Sequence, residues 1–181
     1  ICEELRQLDM PKIRFVCEFT PQEAAETGLD RVRFLMSANV GEALKPLSKV
    51  ASGGELARIM LAMKQVLAQQ DGVPTLIFDE VDAGVSGRAA QKVALKLWSV
   101  SKGRQVLCVT HLPQIAAMAD AEFTVEKRVE HERTYTSVLH LDGSGRRQEL
   151  ARLIGGSMIT ETTLAGAAEL LRLADEAKRG I

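Results

Sequence analysis

"TLIFDEVDAGVSGRAAQKVALKLWSVSKGRQVLCVTHLP", residues 75–113, decides the fold. It opens on an apolar run, TLIF, that ends in two acids, Asp79 and Glu80. A helical pattern follows, with Ser86 at a capping position and Ala89, Ala90, Val93, Ala94 and Leu97 on one face up to about Val100. A second apolar run, QVLCVTH (105–111), ends in a histidine, and Pro113 stands where a first helical turn accepts it. Strand, helix, strand in this order predicts parallel strands joined by a crossover helix. Ligands of open α/β sheets gather at the carboxyl ends of the strands. Asp79, Glu80 and His111 are therefore expected on one edge.

Immediately upstream, "VASGGELARIMLAMK" (50–64) sets two glycines and a serine against a strong helical run. The spacing predicts a helix from about Glu55 to Gln70 with Leu56, Ile59, Met60, Met63 and Leu67 as its apolar stripe. Further out, Ile1, Leu5 and Leu8 read as the tail of a helix that Pro11 ends. KIRFVCEFT and DRVRFLMSA alternate as half-buried strands, expected to pair antiparallel across a long loop. Downstream, EFTVEKRV and TYTSVLHL predict a hairpin around the charged EHER, and helices are expected near Gln148–Ile154 and Thr162–Lys178. The class is α/β with parallel and antiparallel strands. The chain begins on Ile1 and is expected to be a fragment or a processed chain.

Composition narrows the functions. A net charge of −1 gives no bulk attraction to nucleic acid or anionic membrane, and 4% aromatic residues argue against base-stacking platforms. The arginines of EKRVEHER and GSGRRQEL are diluted by Glu126, Glu130, Glu132 and Glu149 and read as solvated surface. Cys2, Cys17 and Cys108 form neither a disulfide framework nor a zinc spacing, and Cys108 reads as a buried reduced thiol. A cytoplasmic setting is expected, and no apolar run reaches the length of a membrane span.

Each motif has a plain reading beside a chemical one. Carboxylates at a core strand end suit a hard cation, with Asp79 as magnesium ligand and Glu80 orienting and deprotonating a water. On the pair alone, a capped strand end is the simpler account. His111 could hydrogen-bond a phosphate oxygen, or be a loop histidine satisfied by backbone. Ser52, Gly53 and Gly54 open a helix whose free N–H groups form an anion site, or they are an ordinary cap and turn. Glu55 fits either that site or the preference of a first turn for acids.

All three features occur in order, and together they resemble a family. "SGGE" is similar to the signature motif of ABC-type ATPases, "TLIFDEVD" to their Walker B strand, and "VTH" to their switch histidine. "KPLSKVASGGELARIMLAMK", "TLIFDEVDAGVSGRAA" and "VTHLPQIAAMAD" resemble the SMC-like branch, nearly residue for residue a bacterial double-strand-break repair ATPase with a coiled-coil arm. The resemblance runs from about Ile1 to Lys178 and implies a P-loop NTPase head of ABC/SMC type. Residues 1–10 would end the coiled-coil helix and 11–181 would form the C-terminal lobe.

The resemblance further implies that Asp79 serves Mg²⁺, Glu80 is the hydrolytic base and His111 meets the γ-phosphate of ATP. Ser52, Gly53 and Gly54 would touch ATP bound to a second head in a homodimer. Most members carry an aspartate where this chain has Ser86, and Asp82 stays outside the catalytic set. DNA would be held by regions outside this segment, near the nucleoid, with no membrane partner. No G-x-x-x-x-G-K-[ST] occurs, so the P-loop lysine is expected from an N-terminal half of the same head, without which the chain should neither hydrolyse ATP nor resist aggregation. Other SMC-type heads and DNA-repair ABC ATPases are the fallback family, and two further readings stand beside this one. One is a non-enzymatic protein that tethers DNA ends through nucleotide-glued heads. The other is a Mg²⁺-dependent phosphotransfer or nuclease domain using Asp79, Glu80 and Asp82, which leaves SGGE unexplained.

Overall fold

A computed structural model describes every residue except 38, 50–52, 68, 69, 71, 131, 132 and 181. The chain forms two compact units, Ile1–Val109 and Thr110–Ile181.

The first unit begins with a short helix, α1 (Cys2–Gln7), which buries Leu5, and Leu8 just beyond it is buried too. An antiparallel sheet follows, with β1 (Arg14–Ala25), β2 (Gly28–Ser37) and β3 (Lys45–Pro46) in that order. The long loop expected between β1 and β2 does not exist. Strand β1 continues through Pro21, and the register slips between Pro21 and Ala25 before Ala25 pairs with Gly28. That irregularity carries the strand past a residue with no N–H to donate. Phe15 and Phe34 stack on this sheet at 5.5 Å.

Helix α2 (Gly53–Val66) starts earlier than its apolar periodicity suggests and takes both glycines into its first turn. Its buried residues are Gly54, Arg58, Ile59, Leu61 and Ala62. Of the predicted stripe Ile59 is buried, whereas Leu56, Met60 and Leu67 are exposed. The helix is apolar on two sides, and periodicity alone cannot say which side meets the core.

The strand–helix–strand segment of the first unit matches expectation. β4 (Thr75–Phe78) and β5 (Gln105–Cys108) pair in parallel, Thr75 opposite Gln105 through Phe78 opposite Cys108, and α3 (Gly87–Ser101) connects them. Ala89, Ala90, Val93, Ala94, Leu97 and Val100 are all buried on α3. A fully buried valine or leucine stabilises by about 1.5–3 kcal/mol, so this face supplies much of the unit's core. Ser86 occupies the N-cap position in extended backbone, but its side chain makes no capping bond. Among the described residues the strands are covered on one face only. Leu76 and Phe78 are buried, while Ile77 is 71% exposed and Val109, just past β5, is 64% exposed.

In the second unit, Pro113 opens α4 (Pro113–Ala116) as its sequence predicts. β6 (Phe123–Glu130) and β7 (Arg133–His140) form the expected hairpin, whose tip at 131–132 lies outside the described residues. Helix α5 (Gly143–Gly155) begins well before Gln148, because Asp142 caps it by accepting the Gly145 N–H at 2.7 Å. Helix α6 (Glu161–Arg179) starts from a reciprocal cap in which Thr160 and Thr163 each accept the other's N–H. Arg146 corrects the reading of GSGRRQEL as solvated surface. Its Nη2 donates to the Ala119 carbonyl at 2.8 Å, and its Nε pairs with the buried Glu122 carboxylate at 3.3 Å. Burial pushes the Glu122 carboxyl up, and the Arg146 bond pulls against it.

Candidate active site

Strand β4 delivers its two acids to solvent through a strained, anchored turn. Asp79 and Glu80 are exposed, but the next residues, Val81 and Asp82, are buried at 0% and 4%. The Glu80 N–H donates to Asp79 Oδ1 at 2.9 Å, which fixes that carboxylate and leaves its second oxygen available. Glu80 adopts φ 57°, the left-handed region that glycine tolerates and other residues seldom enter. Such a conformation costs on the order of 1–3 kcal/mol and persists only where its surroundings impose it. Here the Ala83 N–H closes the turn onto the Glu80 carbonyl at 3.0 Å, and Val85 does the same onto Asp82 at 3.2 Å.

The surroundings that impose it are the first turns of α2. Neither Gly53 nor Gly54 has a positive φ, so a demand for glycine here is steric rather than conformational. It is firm at Gly54, where backbone stands in the way, whereas at Gly53 the obstacle is the movable end of the Glu80 side chain. A Cβ at Gly53 would collide with Glu80 Oε2. One at Gly54 would stand 2.7 Å from both the Ala83 Cβ and the Ala83 carbonyl, and 3.2 Å from the Glu80 carbonyl. The opening of α2 and the turn after β4 thus lie in direct backbone contact. The first turn of a helix carries unpaired N–H groups and the positive end of its dipole, so a carboxylate is favoured beside it.

One turn further along α2 is a residue that pattern reading passed over. Arg58 is 7% exposed, and its Nη1 donates to the Ala83 carbonyl at 2.8 Å. Burial pulls its guanidinium below the ordinary range, while the charges of Glu55 and Asp9 support it. The sequence did hold a signal. Arg58 stands four residues after Gly54, one helical repeat along the face that meets the turn. Glu55 lies in the first turn of α2, half-buried.

From Gly53 to Asp79, α2 and β4 enclose a groove of about 350 Å³, walled by Leu56, Met60, Ile77 and Phe78. Cys108, at the end of β5, registers the character of this edge. Burial, with the charges of Asp82 and Asp79 adding to it, pushes its thiol up to about 12. The cysteine is half-buried rather than fully enclosed.

The structure therefore brings Asp79, Glu80, Gly53, Gly54 and Glu55 to one locality of the first unit. Ser52 lies outside the described residues. His111 is exposed in the loop that follows β5 and leads to α4, in the second unit. Among the described residues no group of three or more histidine, cysteine, aspartate or glutamate side chains could hold a metal by itself.

Comparison with known proteins fits this arrangement. The chain is 46% identical over 194 residues to the DNA repair protein RecN of Bacillus subtilis, a match covering 98% of this chain and 34% of that protein. The chain is homologous to RecN. RecN of Treponema pallidum is 46% identical across 97% of this chain and 32% of its own length. RecN of Vibrio cholerae is 47% identical across 94% and 31%. The chain thus spans about a third of the length of the curated relatives it matches. No family model matches it.

Solved structures place the fold. An Smc head domain with a coiled coil and joint from Pyrococcus yayanosii superposes with a TM-score of 0.63 at 21% identity, covering 87% of this chain and 28% of that one. An Smc head from Pyrococcus furiosus, bound to the C-terminal domain of ScpA, superposes with a TM-score of 0.55 at 22% identity over 77% of this chain and 33% of its own. The fold is that of SMC head domains. No helix among the described residues is long and apolar enough to cross a membrane.

Proposed function

We propose that this chain is the C-terminal lobe of an ATP-hydrolysing head in a RecN-type protein of DNA double-strand-break repair. The observation that carries the reading is the contact of Gly53 and Gly54 with the Glu80 turn, which sets a helix N-terminus beside exposed acids at a strand end. Donor chemistry fits a nucleotide with Mg²⁺ in part. Asp79 offers a hard oxygen with its geometry fixed by the Glu80 N–H. The amides opening α2, with Ser52 and Glu55 beside them, suit a phosphate approaching from a second head. Glu80 is the base that orients and deprotonates water, and His111 is the residue that reads the terminal phosphate.

Two elements of the reading come from outside this segment. No P-loop lysine is present in the sequence, so the N-terminal part of the same head supplies it. The bare face of β4 and β5, with Ile77 and Val109 exposed, and the groove beside Leu56 and Met60 are the surfaces that part would cover. Residues 1–10, including α1, then belong to the end of a coiled-coil arm, and residues 11–181 to the lobe itself. DNA is engaged elsewhere in the assembled protein.

The test is Glu80→Gln in the full-length protein. Turnover should fall by about 10²–10⁴, the range a general base contributes, while ATP binding and head dimerisation persist. A variant that hydrolyses ATP at the parental rate removes Glu80 as the base and the reading with it.

A further inference from the structure

We infer that Arg58 is a positioning residue for hydrolysis, clamping the turn that holds Glu80 to the helix opened by Gly53 and Gly54. The inference rests on the reading of Glu80 as the hydrolytic base and adds how that base is held and sensed.

An arginine buried to this depth needs a reason, because desolvating a guanidinium is expensive unless every nitrogen finds an acceptor. Arg58 is not served in that way. Nη1 has the Ala83 carbonyl at 2.8 Å, but Nε is buried with no hydrogen-bond partner among the described residues. A leucine at this position would fill the space at lower cost, so packing alone does not account for the charge. What the guanidinium does accomplish is specific. Ala83 is the residue whose N–H closes the turn onto the Glu80 carbonyl, and Arg58 holds that same residue by its carbonyl. Gly54 supports Ala83 and the Glu80 carbonyl from the side, and Gly53 abuts the Glu80 carboxylate. Three consecutive features of α2 thus bear on one turn, at the point where Glu80 takes its left-handed φ.

The consequence is mechanical. A ligand that shifts the opening of α2 must move the Glu80 turn as well, since the two share a hydrogen bond and backbone contacts. Arg58 is buried and holds the Ala83 carbonyl. It acts through Ala83 on the orientation of Glu80, so its loss should lower kcat and leave KM for ATP nearly unchanged.

The experiment uses the full-length protein with Arg58→Met, Arg58→Lys, Glu80→Gln and the double variant Arg58→Met/Glu80→Gln. Arg58→Met should reduce kcat about 10–100-fold with KM within about twofold, since misplacement of a base by an ångström costs on that order. Arg58→Lys, whose ammonium can still reach a carbonyl, should recover part of the rate. In the Glu80→Gln background, Arg58→Met should remove little further activity, because the two act on one step. Parental kcat in Arg58→Met, or an equal fold-loss with and without Glu80, overturns the inference while Glu80→Gln still abolishes turnover. Should Arg58→Met prove too unstable to assay, Arg58→Lys decides alone: with a parental melting temperature and KM, a parental kcat overturns the inference and a reduced one supports it. Parental turnover in Glu80→Gln instead removes the underlying reading of the base.

Discussion

Among the described residues three helices open on a glycine, α2, α3 and α5, and the first and last of them use theirs in opposite ways. Helix α5 follows D-G-S-G, and its first turn is closed by its own neighbourhood: Asp142 accepts the Gly145 N–H, and Ser144 Oγ donates to the same carboxylate oxygen at 2.8 Å. The atoms nearest to a Cβ at Gly145 belong to Asp142 and Leu141, and one at Gly143 would meet nothing within 4 Å. Helix α2 has Gly53 and Gly54 as its first two residues, and the atoms crowding them belong to the turn after β4, far along the chain. A local acid turns a glycine-rich opening into a cap. A remote acid, delivered by a sheet, turns it into a junction where chemistry can be placed.

That contrast can be broken at several points. The largest expected effect is on Cys108, whose thiol is raised first by burial and further by the charges of Asp82 and Asp79. With its thiol pushed up to about 12 from an ordinary 9.0, its thiolate at pH 8 should be about a thousandfold scarcer. Iodoacetamide should label exposed Cys17 first and leave Cys108 untouched, as read by peptide mass spectrometry. Comparable labelling rates at the two sites would deny the edge its character.

The next effect concerns stability. Gly54→Ala forces a methyl against Ala83 and the Glu80 carbonyl, and overpacking of this kind costs about 1–3 kcal/mol. Gly143→Ala meets open space and should leave the urea midpoint unchanged or slightly raised. Equal losses for the two substitutions would erase the distinction between junction and cap.

The smallest effect is in acid. The Gly145 and Ser144 bonds hold the Asp142 carboxyl below the usual aspartate range. A depressed carboxylate stabilises the fold above its unfolded pKa, and that contribution fades as pH falls through the lower folded value. The protection of the Gly145 amide, its exchange rate relative to an unstructured chain at the same pH, should therefore hold at neutral pH and fall only in strong acid. Asp142→Ala should show the low protection at every pH. A profile for the parent that is flat across the acid range would mean that Asp142 is not the cap.

Much of this was legible from residue order alone. TLIF and QVLC separated by a helix with Ala89, Ala90, Val93, Ala94 and Leu97 on one face could only be parallel strands with a crossover, and the structure shows them so. Asp79 and Glu80 at the strand end follow from the same pattern. Arg58 was not legible as a clamp, because a charged residue on a surface helix reads as solvent-facing until a remote carbonyl is known to lie over it. Arg146 was misread for the same reason, since its acceptors, Glu122, Ala117 and Ala119, precede it on other elements. The early start of α5 was missed because hydrophobic periodicity cannot see a cap.

By itself, then, the sequence determined which segments are strands and helices, the parallel pairing of β4 with β5, and the placing of paired acids at a carboxyl edge. Periodicity and turn chemistry are local, and they need no knowledge of the rest of the chain. Only the tertiary structure decided that Gly53 and Gly54 are there to admit the Glu80 turn, that Arg58 grips it, and that Ile77 is left bare. Those facts depend on which atoms meet across long separations in sequence. Close packing enforces such meetings to within a few tenths of an ångström, and no local pattern records them.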